Sequence, residues 1–145
     1  MYGMNPELTM DEVYHYQEMM HDHHDASHAL GRLEAHQGKV DSTLKELWEE
    51  KEERYLGISW DKFWRVTLQV IRKELCSNEG FRTKVSAYTK SPESAVLLTG
   101  LITYLVGAVS LPINPAIATI ITIYILKVGL NIFCEYTEPE NPVIA

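Results

Sequence analysis

Residues 94–134 read SAVLLTGLITYLVGAVS-LPINP-AIATIITIYILKVGLNIFC, and from Ser94 to Leu126 there is no charged side chain. A helix that crosses a bilayer needs about 20 apolar residues, so the run is too long for one pass. It is interrupted at Leu111-Pro112-Ile113-Asn114-Pro115. Two prolines there remove backbone donors and disfavour helix at the residue before each. The pattern predicts two helical arms, Ser94–Val109 and Pro115–Cys134, joined by a tight turn. Pro115 suits the first turn of the second arm, and Ser91 and Pro92 the start of the first. A helix apolar on every side is buried in a large core or in lipid, and a chain of this size offers little core. The expectation is therefore a membrane-type hairpin. Burial of the hairpin in a soluble assembly is the alternative, and a dormant soluble state that later inserts would satisfy both.

Small residues recur along both arms: Ala95, Thr99, Thr103 and Gly107 on the first, Ala118, Thr122 and Gly129 on the second. Small faces let helices approach closely in lipid, so these rows are the expected contact between the arms. Lys127 is the lone charge inside the second arm. It is expected either to reach back to a headgroup layer or to line a polar lumen with the threonines.

Charge divides the chain into segments. Residues 1–58 hold thirteen acids and five bases, residues 59–92 three acids and seven bases, and residues 93–145 four acids and one base, for a net charge of -7. A basic excess directly before an apolar hairpin favours the cytoplasmic side and attracts anionic lipid. Both ends of the hairpin are then expected on the cytoplasmic side, with the N-terminal region and the tail. The division is 1–58 acidic and helical, 59–92 basic and amphipathic, 93–136 apolar hairpin, and 137–145 irregular. No secretory signal pattern is visible in the first residues. Two cysteines, Cys76 and Cys134, are too few for a disulfide framework and fit a reducing compartment. Cys134 lies at the predicted membrane boundary, where acylation is one reading and an inert apolar cysteine the plainer expectation.

Before the hairpin the chain reads as all-α. Thr9 followed by Glu12 makes a capping box, and a long helical segment or helical hairpin runs on toward Tyr55, with Gly31 and Gly38 as places to break or bend. A heptad-like seam is clean from Ala26 to Leu47, with Leu30, Leu33, Val40, Leu44 and Leu47 on one stripe. That stripe needs a partner surface, so self-association is expected. Ser59 caps a helix over Trp60–Cys76. Trp60, Phe63 and Trp64 lie on its apolar side, and Lys62, Arg65, Arg72 and Lys73 populate the rest, as in a helix lying on a membrane interface. An ordinary core-facing helix is the competing reading. Ser77–Gly80 reads as a turn and Phe81–Lys90 as a short basic helix.

One cluster suggests chemistry. His21, His24, Asp25 and His28 are spaced by three or four residues, so on a helix they share a face and form a candidate divalent-metal set. A titrating surface is the plainer reading, since imidazoles as a class gain charge near pH 6. There is no glycine-rich phosphate loop, no GxSxG and no CxxC, so no enzyme and no cofactor is expected. An acidic chain with one short basic segment argues against nucleic acid as a partner. The functional expectation is a small membrane protein that anchors in or permeabilises a bilayer and associates with itself or a protein partner. The alternatives are a soluble all-α interaction module and a histidine-based metal or pH sensor.

Overall fold

The structure is a computed structural model and describes residues 7–50, 59–109 and 113–136. Eight helices and no strand are found among them: α1 (Met10–Met19), α2 (His24–Ala35), α3 (Val40–Glu49), α4 (Trp60–Leu75), α5 (Glu79–Lys90), α6 (Ala95–Ala108), α7 (Pro115–Val128) and α8 (Leu130–Tyr136). The all-α expectation holds.

Side chains set most helix starts. The Thr9 hydroxyl accepts the Glu12 N–H at 3.1 Å while the Glu12 carboxylate accepts the Thr9 N–H at 2.8 Å, the reciprocal box its spacing predicts. Ser59 caps α4 through the Lys62 N–H, and Asn114 caps α7 through the Ile117 N–H, with Pro115 in the first turn. Asn78 starts α5 two residues earlier than the apolar pattern suggests. Ser94, rather than Ser91, caps α6.

The long N-terminal helix is three helices. His23 starts α2 by accepting the Ala26 N–H on its Nδ1, a cap that composition does not advertise. At the other end of α2, the Gln37 N–H bonds to the Glu34 carbonyl and the Gly38 N–H to the Leu33 carbonyl, both at 2.9 Å. With Gln37 at φ 59° this is a Schellman ending. Gly38 itself has φ 85°, and a Cβ there would run into the Leu8 carbonyl oxygen. Gly31, by contrast, leaves α2 unbroken.

The core is organised around α7. It packs against α2, α3 and α6, and all ten residues from Ala116 to Ile125 are buried. Burying one isoleucine is worth about 1.5–3 kcal/mol, so Ile120, Ile121, Ile123 and Ile125, all buried, together supply about 6–12 kcal/mol. That is the scale of a whole domain's net stability. The expectation that so small a chain cannot house an all-apolar helix is therefore corrected: α2, α3 and α6 pack around it, and α8 against its end. The seam Leu30, Leu33, Val40, Leu44 and Leu47 belongs to the same core, each at most 1% exposed. Its partner surface is supplied within the chain, not by a second copy.

The arms also differ from the membrane-type hairpin. The α6 and α7 helices are fourteen residues each, about 21 Å at 1.5 Å per residue, against a hydrocarbon thickness of about 30 Å. Among the described residues no helix is long and apolar enough to cross a membrane. The second arm does not continue to Cys134; Gly129, at φ 90°, separates α7 from α8. On α6 the core face is Leu98, Leu101, Ile102 and Leu105. The row Ala95, Thr99, Thr103, Gly107 is half-buried or exposed, and nothing lies within 4 Å of a Cβ placed at Gly107. That row is not the contact between the arms. Ala118 and Thr122, on α7, are buried.

Candidate functional site

Each predicted site residue has a definite position. The aromatic side of α4 faces the interior: Phe63 and Trp64 are buried, and Trp60 stacks on Trp64 at 5.8 Å with an interplanar angle of 10°. The group extends to Trp48 on α3 and to Tyr124 on α7. The expected membrane interface is thus largely a core seam, with Phe63 and Trp64 buried and Trp60 half-buried at its edge. Of the bases expected beside them, Lys62, Arg65 and Lys73 are exposed, while the Arg72 Nε–H donates to the Cys134 carbonyl at 3.2 Å.

The histidines do not gather. His21 bonds to the Glu18 carbonyl, His24 lies beside Asp25 with its side chain 97% exposed, and His28 pairs with Glu50, the C-cap of α3, at 2.8 Å. No group of three or more metal-ligating side chains converges among the described residues. The expected set of His21, His24, Asp25 and His28 is therefore split between a turn, open solvent and the α2–α3 contact. What α2 and α3 do form is a polar clasp. Arg32 Nη1 donates to Glu46 Oε2 at 3.1 Å, and His36 Nε2 bonds to Glu46 Oε1. The His36 hydrogen bond, followed by the Arg32 one, holds the Glu46 carboxyl below the usual carboxylate range.

Lys127 also has a protein partner. Its ammonium sits 3.0 and 3.1 Å from the two oxygens of Glu12, tying the last turn of α7 to the first turn of α1. In this fold it reaches neither a headgroup layer nor a lumen. Partial desolvation pushes the Glu12 carboxyl up, but the Thr9 backbone N–H and the Lys127 charge pull it further down, leaving it below the ordinary range. Beside the pair lies a cleft of about 410 Å³ lined by Asp11, His15, Tyr16, Tyr88 and Leu126 among others. It is wide open to solvent. The Tyr88 hydroxyl donates to the Pro92 carbonyl at 2.8 Å, and burial raises the phenols of Tyr16 and Tyr88 above the usual tyrosine range. Neither phenol is prepared to ionise near neutral pH.

The feature that sequence reading missed is a covalent one. Cys76, the C-cap of α4, is disulfide-bonded to Cys134 in α8, with Cα atoms 5.8 Å apart. The expectation of two unpaired cysteines is corrected. Spacing carried no signal, because the partners are 58 residues apart and meet only once α7 has reversed the chain. Two guanidiniums surround the joint: Arg82 Nε–H donates to the Cys76 carbonyl at 2.9 Å and Arg82 Nη1 to Asn131 at 3.0 Å, opposite Arg72 on the Cys134 carbonyl.

Comparison with protein-family models gives no match, and neither the curated proteins nor the solved structures contain a detectable relative.

Proposed function

We propose that the chain is a non-enzymatic helical interaction module whose apolar arm serves as its core. The observation that carries this reading is the enclosure of α7 by the chain's own α2, α3 and α6. A helix held in this way is scaffold, and what remains outside is a set of rigid helical faces with unlike charge. Exposed acids crowd α1 to α3 (Asp11, Glu18, Glu34, Glu49, Glu50), and exposed bases crowd α4 and α5 (Lys62, Arg65, Lys73, Lys84, Lys90). Opposed patches of this kind steer association and fix register more than they add affinity. The partner is accordingly a protein surface of complementary charge, a second copy of the chain included, and not nucleic acid. Light-scattering mass at low and at high salt tests self-association. A mass above the monomer that falls as salt rises supports it, and a monomer at every salt concentration leaves a different protein as the partner.

A second reading keeps the bilayer as target, with the hairpin sheltered until the bundle opens. It draws on the uncharged run from Ser94 to Leu126 and on the uncharged outward row of α6. Carbonate extraction of membranes separates the two readings: recovery in the extracted pellet favours the second, and complete release favours the interaction module.

A further inference from the structure

We propose that the Cys76–Cys134 disulfide is a redox latch: reducing it frees α8 from the bundle while α1 to α7 stay folded. This goes beyond the interaction-module reading and does not depend on it. Four observations carry the inference. First, α8 is seven residues long, far below the length at which a helix holds itself together in water, so it owes its place to attachments. Second, those attachments lie on one side of it. Phe133 is buried edge-on against Tyr124 at 5.5 Å, Leu130 is mostly covered, Arg72 bonds the Cys134 carbonyl and Arg82 the Asn131 side chain, whereas Ile132 and Glu135 face solvent. Third, Gly129 lies between α7 and α8 at φ 90°, with nothing within 4 Å of where a Cβ would stand, so the joint has room to swing. Fourth, both cysteines are only partly buried, at the edge of the core and not within it.

The arginines suit the chemistry. Hydrogen bonds to the carbonyls of both cysteines bring two positive charges to the joint, and cationic neighbours favour a thiolate. The reductant is a dithiol. One of its thiolates attacks one sulfur of the pair and expels the other as thiolate, and its second thiol resolves the mixed disulfide. Two electrons and two protons pass to Cys76 and Cys134, and the dithiol leaves as its own disulfide. Meanwhile α7 keeps its contacts with α2, α3 and α6, none of which involves the bond. The result is a released apolar segment, Leu130 to Phe133, and an uncovered Tyr124.

The test is amide hydrogen exchange by mass spectrometry on the full chain, oxidised and after dithiothreitol, following peptides from 116–126 and 130–136. The latch predicts that in the reduced protein α8 exchanges through its own local opening, roughly tenfold or more faster than α2, α3 and α7, which continue to exchange together at the free energy of global unfolding. Reoxidation should restore protection, and Cys134→Ser should match the reduced protein. Unchanged α8 exchange would overturn the proposal. So would a rise in exchange of the same size across α2, α3, α7 and α8, which makes the bond a staple for the whole fold and not a latch on α8. Alkylation of both cysteines after treatment with oxidised glutathione would also overturn it, because the pair then does not form.

Discussion

Lys127, at the end of α7, holds both carboxylate oxygens of Glu12, the residue that completes the cap of α1, at 3.0 and 3.1 Å. The lone charge of the apolar arm is thus satisfied within the chain, at the rim of the bundle, by a residue 115 positions away. About a third of the lysine side chain and two-fifths of the glutamate side chain remain exposed, so solvent screens the pair. Lys127→Met and Glu12→Gln should each cost at most about 1 kcal/mol in urea unfolding, with a coupling near 0.5 kcal/mol in a double-mutant cycle. A lysine that lined a conducting lumen would instead show its effect in ion selectivity, with no coupling to Glu12.

Acid should loosen two joints. Glu12 and Glu46 both have carboxyls held below the ordinary range. A depressed carboxyl pKa contributes stability that is fully present above the unfolded-state value of about 4.3 and is lost as pH falls through the lower folded value. Urea midpoints should therefore be flat on this account between pH 6 and 8 and fall below about pH 4.5. Glu46→Gln should shallow that fall, and an unchanged acid slope in the variant would remove Glu46 from the explanation.

Core and surface substitutions should separate cleanly. Ile121→Ala, in the middle of α7, should cost about 2–5 kcal/mol, whereas Thr103→Leu on the outward row of α6 should stay within about 0.5 kcal/mol. Gly100→Ala, where a Cβ meets nothing within 4 Å, should stabilise by about 0.5–1 kcal/mol through helix propensity. The buried Thr122 hydroxyl has no hydrogen-bond partner among the described residues, so Thr122→Val should be neutral or stabilising, since it removes an unpaired polar group at nearly constant shape. Chemical denaturation of the four variants checks the order.

The disulfide should matter for equilibrium stability as well as for α8. Closing a loop over a separation of 58 residues constrains the unfolded chain by about 4 kcal/mol. In a chain of this size that corresponds to a melting temperature lower by roughly 10 °C in Cys76→Ser, read by circular dichroism without reductant. A variant that melts with the wild type would mean that the bond contributes nothing to the folded state.

Local chemistry was legible in the sequence, and long-range pairing was not. Thr9 with Glu12, Ser59 and Pro115 announce helix starts because each acts within a single first turn. The apolar sides of α3 and α4 follow from their spacing, and the two arms from the proline-bearing turn. The interruption at His21-Asp22-His23 escaped notice because an imidazole is an uncommon cap. The seam over 26–47 continued through Gly38 because the register on either side of the Schellman turn happens to stay in phase. The uniform apolarity of α7 fits lipid and a small bundle's centre equally well, since each presents hydrocarbon on every side. Only the number of other helices wrapping it decides between them. The proposed metal set failed for a related reason: spacing along one helix says nothing when residues 20–23 are a turn.

The most direct measurement is native-state hydrogen exchange of the full chain in buffer free of detergent and lipid. If α7 is the centre of a bundle built by this one chain, the amides of residues 119–125 are among the slowest in the protein and exchange only at the free energy of global unfolding. If those amides exchange within minutes in buffer and become protected only when lipid vesicles are added, the arm is not the core and the account is wrong.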